Sequence, residues 1–125
     1  IEFTTTGDLE GAWDSARLGQ VLANLIGNAV QHGSERTRIE VSLRGDRDDV
    51  TLRVHNRSPV IAPHELPGIF SPFKRLRGGE APTSPTSSLG LGLYIAERIV
   101  TAHGGTIGVK STDESGTTFT VCLPR

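Results

Sequence analysis

The sequence predicts an α+β domain built as a two-layer α/β sandwich, with three helices on one face of an about five-stranded mixed, mainly antiparallel sheet. Three observations predict it. Apolar and polar residues alternate at 38–44 and 50–54, and Phe119, Val121 and Leu123 share one face of 117–123, the period of a strand with one buried face. Residues 14–33 and 91–103 instead repeat apolar positions every three and four residues, the period of a helix that buries one stripe. Finally, 125 residues suit a single domain, 1–125, able to bury roughly two-thirds of its unfolded surface.

Ile1 to Thr6 alternates Ile, Phe and Thr with other residues and stops at Gly7-Asp8, so a short strand opens the chain. In DSARLGQVLANLIGNAVQHG, positions 14–33, the apolar stripe is Leu18, Val21, Leu22, Leu25, Ile26, Ala29 and Val30. Asp14 suits the N-cap of this helix, where a short carboxylate accepts an amide hydrogen bond; Gly33 suits C′, where a residue without Cβ turns left-handed. Arg38–Arg44 and Val50–Val54 form an antiparallel hairpin around a polar turn. His55 to Pro63 holds two prolines and no period. Glu65 to Phe70 makes a short helix entered after Pro63. Residues 74–89 are mostly Gly, Pro, Ser and Thr with Arg75, Arg77 and Glu80; they bury too little apolar area to offset ordering entropy, so a mobile lid over a ligand is expected. Leu91, Ile95, Ile99 and Ala102, flanked by Leu93, Ala96 and Val100, give a second long helix stopped by Gly104-Gly105. Thr106–Lys110 and Thr117–Leu123 are the last strands, with Phe119, Val121 and Leu123 on one face.

Composition excludes several classes. The net charge of −1 implies neither a nucleic acid partner nor direct membrane contact. Cys122 is the sole cysteine, which forbids an internal disulfide and fits a reducing, cytoplasmic compartment. No apolar run is long enough for a bilayer, and no targeting pattern precedes the first strand. The chain therefore reads as a domain of a larger protein.

Beside the apolar stripe of the first helix run Gln20, Asn24, Asn28 and His32, spaced by four. Asparagine competes for backbone groups and is a middling helix former, so two of them one turn apart ask for a reason. Two readings are open: a solvated flank, or a wall of amide oxygens for a hydrated Mg²⁺ and its phosphates. Gly90-Leu91-Gly92-Leu93 opens the second helix, where exposed amides attract phosphate and glycine permits close approach. A dinucleotide fingerprint needs a small residue where Ile95 stands, and a P-loop needs Gly-Lys before Ser or Thr, so neither applies. His32, His55, His64 and His103 have no metal-site spacing and read as surface or capping residues. No serine sits in a nucleophile elbow. The informative feature is the order: asparagine row, irregular turn, Phe70 and Phe73, basic loop, glycine-opened helix, then Gly116-Thr117.

In that order the chain resembles, over essentially its whole length, the catalytic and ATP-binding domain of bacterial sensor histidine kinases. These belong to the superfamily that includes gyrase, mismatch-repair and heat-shock-chaperone ATPases, and the resemblance implies their Bergerat-type ATP-binding fold. NLIGNAVQHG is similar to the N box, which implies that Asn28 ligates Mg²⁺, Asn24 lies near the phosphates and His32 near the nucleotide. IFSPFKR resembles the F box, implying that Phe70 and Phe73 anchor the lid while Lys74 or Arg75 reaches the γ-phosphate. LGLGLYIAERIVTAHGG resembles the second glycine box, which puts Gly90, Leu91, Gly92 and Leu93 around the phosphates. GTTF resembles the element beside the base, with Thr117 contacting adenine through water.

The first glycine box departs from the family. Its stretch is HNRSPVIAP, with Asn56 in the aspartate place and Ser58 and Val60 at the glycine positions; the resemblance implies that Ile61 belongs to the same nucleotide pocket. The aspartate accepts a hydrogen bond from the exocyclic amine of adenine; a carboxamide accepts without the charge, so weaker or less selective adenine binding is expected. HNRSPVI together with GDLEGAWDSARLGQVLANLIGNAVQHG resembles the kinases of bacterial phytochromes and their relatives. Hydrolysing relatives carry a glutamate one turn before the metal-binding asparagine, where this chain has Asn24, and an amide is no general base. The resemblance thus implies a protein-histidine kinase domain, using ATP and Mg²⁺ and releasing ADP. Asn24 and Arg75 are its catalytic candidates. Its partners are the dimerisation and phosphoacceptor domain of the same protein and a response-regulator receiver domain. Two alternatives stand beside it: a degenerate nucleotide-binding or interaction module, favoured by Asn56, Ser58 and Val60, and a free-standing ATPase, disfavoured by Asn24.

Overall fold

The computed structural model describes residues 2–11, 13–32, 38–57, 63, 66–70 and 91–125, apart from the side chains of 31, 32 and 67. In chain order the elements are β1 (Glu2–Thr6), α1 (Ser15–His32), β2 (Ile39–Gly45), β3 (Asp49–Asn56), a 3-10 turn (Leu66–Gly68), α2 (Leu91–Ala102), β4 (Thr106–Thr112) and β5 (Gly116–Pro124). The sheet order is β1-β2-β3-β5-β4. β1 pairs with β2 in parallel, and the other neighbours are antiparallel. β3 and β4 flank β5 and so run in the same direction, which is why the connection carrying α2 must cross the sheet.

Local signals fix the helix ends. Asp14 caps α1 as expected: its Oδ1 accepts the Arg17 N–H at 3.2 Å, and its carbonyl accepts the first helical bond from Leu18 at 3.0 Å. α2 ends in a Schellman motif around Gly104, whose φ is 76°. The Gly105 N–H reaches the Val100 carbonyl at 3.0 Å and the Gly104 N–H reaches that of Thr101 at 3.0 Å. The two helices are also tied to each other and to the last strand. The backbone N–H of Asp14 donates to His103 Nε2 at 3.2 Å, and Trp13 Nε1 donates to the Pro124 carbonyl at 3.0 Å.

The alternation expected of the strands is realised on the helix-covered face. Val41, Val54, Phe119 and Val121 are buried there against Val21, Leu25 and Ala29 of α1 and Ala96 and Val100 of α2. The opposite face carries Glu40, Ser42, Arg53, His55, Thr118 and Thr120 and is open. The helix expected over Glu65–Phe70 is a correction. Leu66–Gly68 is a single 3-10 turn closed by Ile69 N–H to the Leu66 carbonyl at 3.2 Å. Gly68 is a poor helix former and disfavours a regular α-helix over this stretch. Among the described residues the sheet carries two α-helices and this 3-10 turn.

Arg125 closes the molecule. Its guanidinium donates to the Asp8 carboxylate at 2.7 Å, the Asp8 carbonyl at 3.1 Å and the Asp46 carbonyl at 2.8 Å. The last residue therefore holds both the exit from β1 and the β2–β3 turn. Hydrogen bonding from the Glu10 N–H, and then from Arg125, holds the Asp8 carboxyl below its ordinary value.

Candidate nucleotide site

The asparagine row enters the interior as it advances along α1. Gln20 is exposed, Asn24 is half-buried and Asn28 is only 8% exposed, so the row is not a solvated flank. Asn24 Nδ2 donates to the carbonyl of Gly92 at 3.1 Å, which ties the middle of α1 to the first turn of α2. Gly92 and Leu93 are buried and Leu91 is half-buried at the same place. A Cβ added at Gly92 would lie 3.9 Å from the Asn24 Cβ, an ordinary contact. Packing among the described residues therefore does not demand glycine there.

A second pair of polar groups is brought together by the sheet. Asn56, the last residue of β3, is the Cα partner of Thr117 on β5, and the two are 4% and 3% exposed. The Thr117 hydroxyl shares a 2.7 Å hydrogen bond with that of Ser111 on β4. Gly116 makes this register possible. Its φ is 84°, and a Cβ there would meet the Asn56 carbonyl oxygen at 2.4 Å, so the two backbones approach as only glycine permits. Phe70 packs edge-to-face on Phe119, with ring centroids 6.2 Å apart.

These side chains share the helix-covered side of the sheet and come from the segments that sequence reasoning singled out. They offer carboxamides, a hydroxyl and backbone amides, which suit oxygen-rich anions and a hard cation more than a redox centre. Residues 13–125 match the model of the family described as histidine kinase-, DNA gyrase B- and HSP90-like ATPases. The chain belongs to this ATPase family.

Other comparisons place the likeness within it. The histidine-protein kinase AfsQ2 of Streptomyces coelicolor is 39% identical over 112 residues, 90% of this chain and 20% of that protein. The sensor histidine kinase YvrG of Bacillus subtilis is 34% identical over 117 residues, 94% of this chain and 20% of that protein. Among solved structures, a mycobacterial sensor histidine kinase, MprB, superposes with a TM-score of 0.79 at 29% identity, covering 98% of this chain and 82% of that one. The catalytic domain of the histidine kinase ThkA gives 0.77 at 31% identity, covering 98% and 78%. The chain thus has the fold of a histidine kinase catalytic domain, and ATP is the nucleotide of its family. It spans 20% of the length of the two curated relatives. Among the described residues no helix is long and apolar enough to cross a membrane.

Of the residues expected at the ATPase site, Asn24, Asn28, Asn56, Phe70, Leu91, Gly92, Leu93 and Thr117 lie on described elements. Ser58, Val60, Ile61, Phe73, Lys74, Arg75, Gly90, the lid at 74–89 and the His32 side chain lie outside the described residues. Ser111 was missed by sequence reasoning. Alternation puts Ser111 on the same face as Val109, while its facing of Thr117 comes from the register of β4 on β5.

Proposed function

We propose that this chain is the Mg-ATP-binding catalytic domain of a two-component sensor kinase. It presents the γ-phosphate to a histidine on the dimerisation and phosphoacceptor domain of the same protein, from which a receiver domain takes the phosphoryl group. The observation that carries the reading is the contact of Asn24 with the Gly92 carbonyl, with Asn28 buried one turn further along the same face. It sets a carboxamide wall against the opening turn of α2, where backbone amides favour phosphate.

In this reading the Asn28 carboxamide oxygen is the protein's ligand to Mg²⁺, a cation that keeps most of its ligands as water and phosphate. Bound there, Mg²⁺ supplies charge neutralisation along the triphosphate. Asn24 is a positioning group. Its N–H is already used on Gly92, and a carboxamide takes no proton from water, so the γ-phosphate is preserved for a better nucleophile. Asn56 and Thr117 hold the adenine edge, and Arg75 or Lys74 approaches the γ-phosphate from the lid. The domain works in the cytoplasm, where ATP is supplied.

The test is transfer in trans. The chain is mixed with its phosphoacceptor segment, Mg²⁺ and ATP labelled on the γ-phosphate, and acid-labile, base-stable label on the segment is the expected result. Absence of that label, with the nucleotide bound, rejects the kinase reading. Asn28→Ala is expected to remove the Mg²⁺-dependent part of ATP affinity.

A further inference from the structure

We infer that His55 is a positioning residue for the nucleotide base: its imidazole holds the β4–β5 turn so that Thr117 stays seated against Asn56. The inference rests on the reading that Asn56 and Thr117 hold adenine. Both chain neighbours of Asn56 reach that turn. His55 Nε2 bonds the carbonyl of Ser115, and Arg57 Nη2 donates to the carbonyl of Glu114 at 3.5 Å. A carbonyl only accepts, so Nε2 carries the proton. The other ring nitrogen lies toward Glu40 on β2, with Nδ1 3.9 Å from Oε2, beyond hydrogen-bond reach, so it is the Ser115 bond that ties the ring to the turn.

From Ser115 to Thr117 the path is short and stiff. The Ser115 N–H donates to Thr112 Oγ1 at 3.1 Å, and the two hydroxyls lie 2.6 Å apart. Next comes Gly116, pressed against the Asn56 carbonyl at positive φ, and then Thr117 itself. Alternation along β3 sends His55 to the open face, where its partner is Thr118, and Asn56 to the covered face, where its partner is Thr117. His55 therefore never meets the base and acts through the turn. A purely structural contact would alter stability alone. A positioning contact also alters how well the site reads the exocyclic amine of adenine, the group that Asn56 is placed to accept.

The experiment is calorimetric titration of this chain with Mg-ATP and with the triphosphate of purine riboside, which lacks that amine. His55→Ala is expected to weaken ATP binding about five-fold and leave the analogue unchanged, the loss of one hydrogen bond's worth of positioning. His55→Gln, which keeps an N–H donor, restores the preference. An unchanged ATP-to-analogue ratio in His55→Ala overturns the inference, whether or not its melting temperature falls. Should the alanine variant fail to fold, His55→Phe, which keeps a ring without the donor, is held to the same ratio. Asn56→Ala separates the two readings. If it loses the preference and His55→Ala does not, only the His55 inference falls; if the native chain shows no preference, the adenine reading falls and His55 with it.

Discussion

Asn24 and Gly92 are joined by a side-chain-to-backbone hydrogen bond of 3.1 Å across 68 residues of sequence. The bond sets the distance between the carboxamide row and the start of α2. Removing it leaves a part-buried carbonyl without this donor, so Asn24→Ala is expected to destabilise the fold by about 1–2 kcal/mol. Asn24→Asp, which faces the carbonyl with an acceptor, is expected to lose at least as much. Urea unfolding measures both, as a lower midpoint at unchanged slope. A fully stable Asp variant would count against the geometry.

Two glycines are expected to separate fold from ligand. Gly116→Ala meets Asn56 and Arg57 backbone atoms at 2.4 Å in a left-handed conformation, and should cost more than about 1 kcal/mol of stability. Gly92→Ala meets no described atom closer than 3.9 Å. Its melting temperature should stay near native while ATP affinity drops. Calorimetry beside thermal melts distinguishes the pair, and equal effects on both readouts would contradict the assignment.

Asn56→Asp is expected to tighten binding of ATP relative to the amine-free analogue, because a carboxylate accepts the amine more strongly than a carboxamide. The gain should be several-fold, about 1 kcal/mol. Competition binding at constant Mg²⁺ checks it. A loss of affinity would mean that the carboxamide also donates to the ligand.

Asp8 gives a pH signature. Its folded pKa lies below the ordinary 3.8, so the unfolded chain binds this proton more readily. Its contribution to stability is therefore complete above the ordinary value and is lost as pH falls through the folded one. Arg125→Ala is expected to raise the Asp8 pKa, though not fully to 3.8, because the Glu10 N–H remains. Carboxyl titration by NMR reads this directly. An unmoved Asp8 would show that Arg125 contributes nothing to the carboxylate.

Much of the fold was legible because its signals are local. The Asp14 cap, the Gly104 stop and the period-2 runs that became β2, β3 and β5 each depend on residues within a few positions. The parallel pairing of β1 with β2 was not legible, since alternation sets which face is buried and says nothing of the neighbour. Glu65–Phe70 was misjudged because Pro63 suggested a helix start, while Gly68 disfavours a regular helix and Leu66–Gly68 forms a 3-10 turn. At the site, Asn24 and Asn28 stood out through their spacing of four. The facing of Asn56 and Thr117, and the grip of His55 on Ser115, arise from strand register and could not be read along the chain.

The clasp of Arg125 on Asp8 spans 117 residues, so it joins two segments that are far apart in sequence. Such a contact is entropically expensive and gains nothing until the interior has assembled. β1 lies at the sheet edge and is exposed along its length, so its amides should exchange with solvent well ahead of those in β3 and β5.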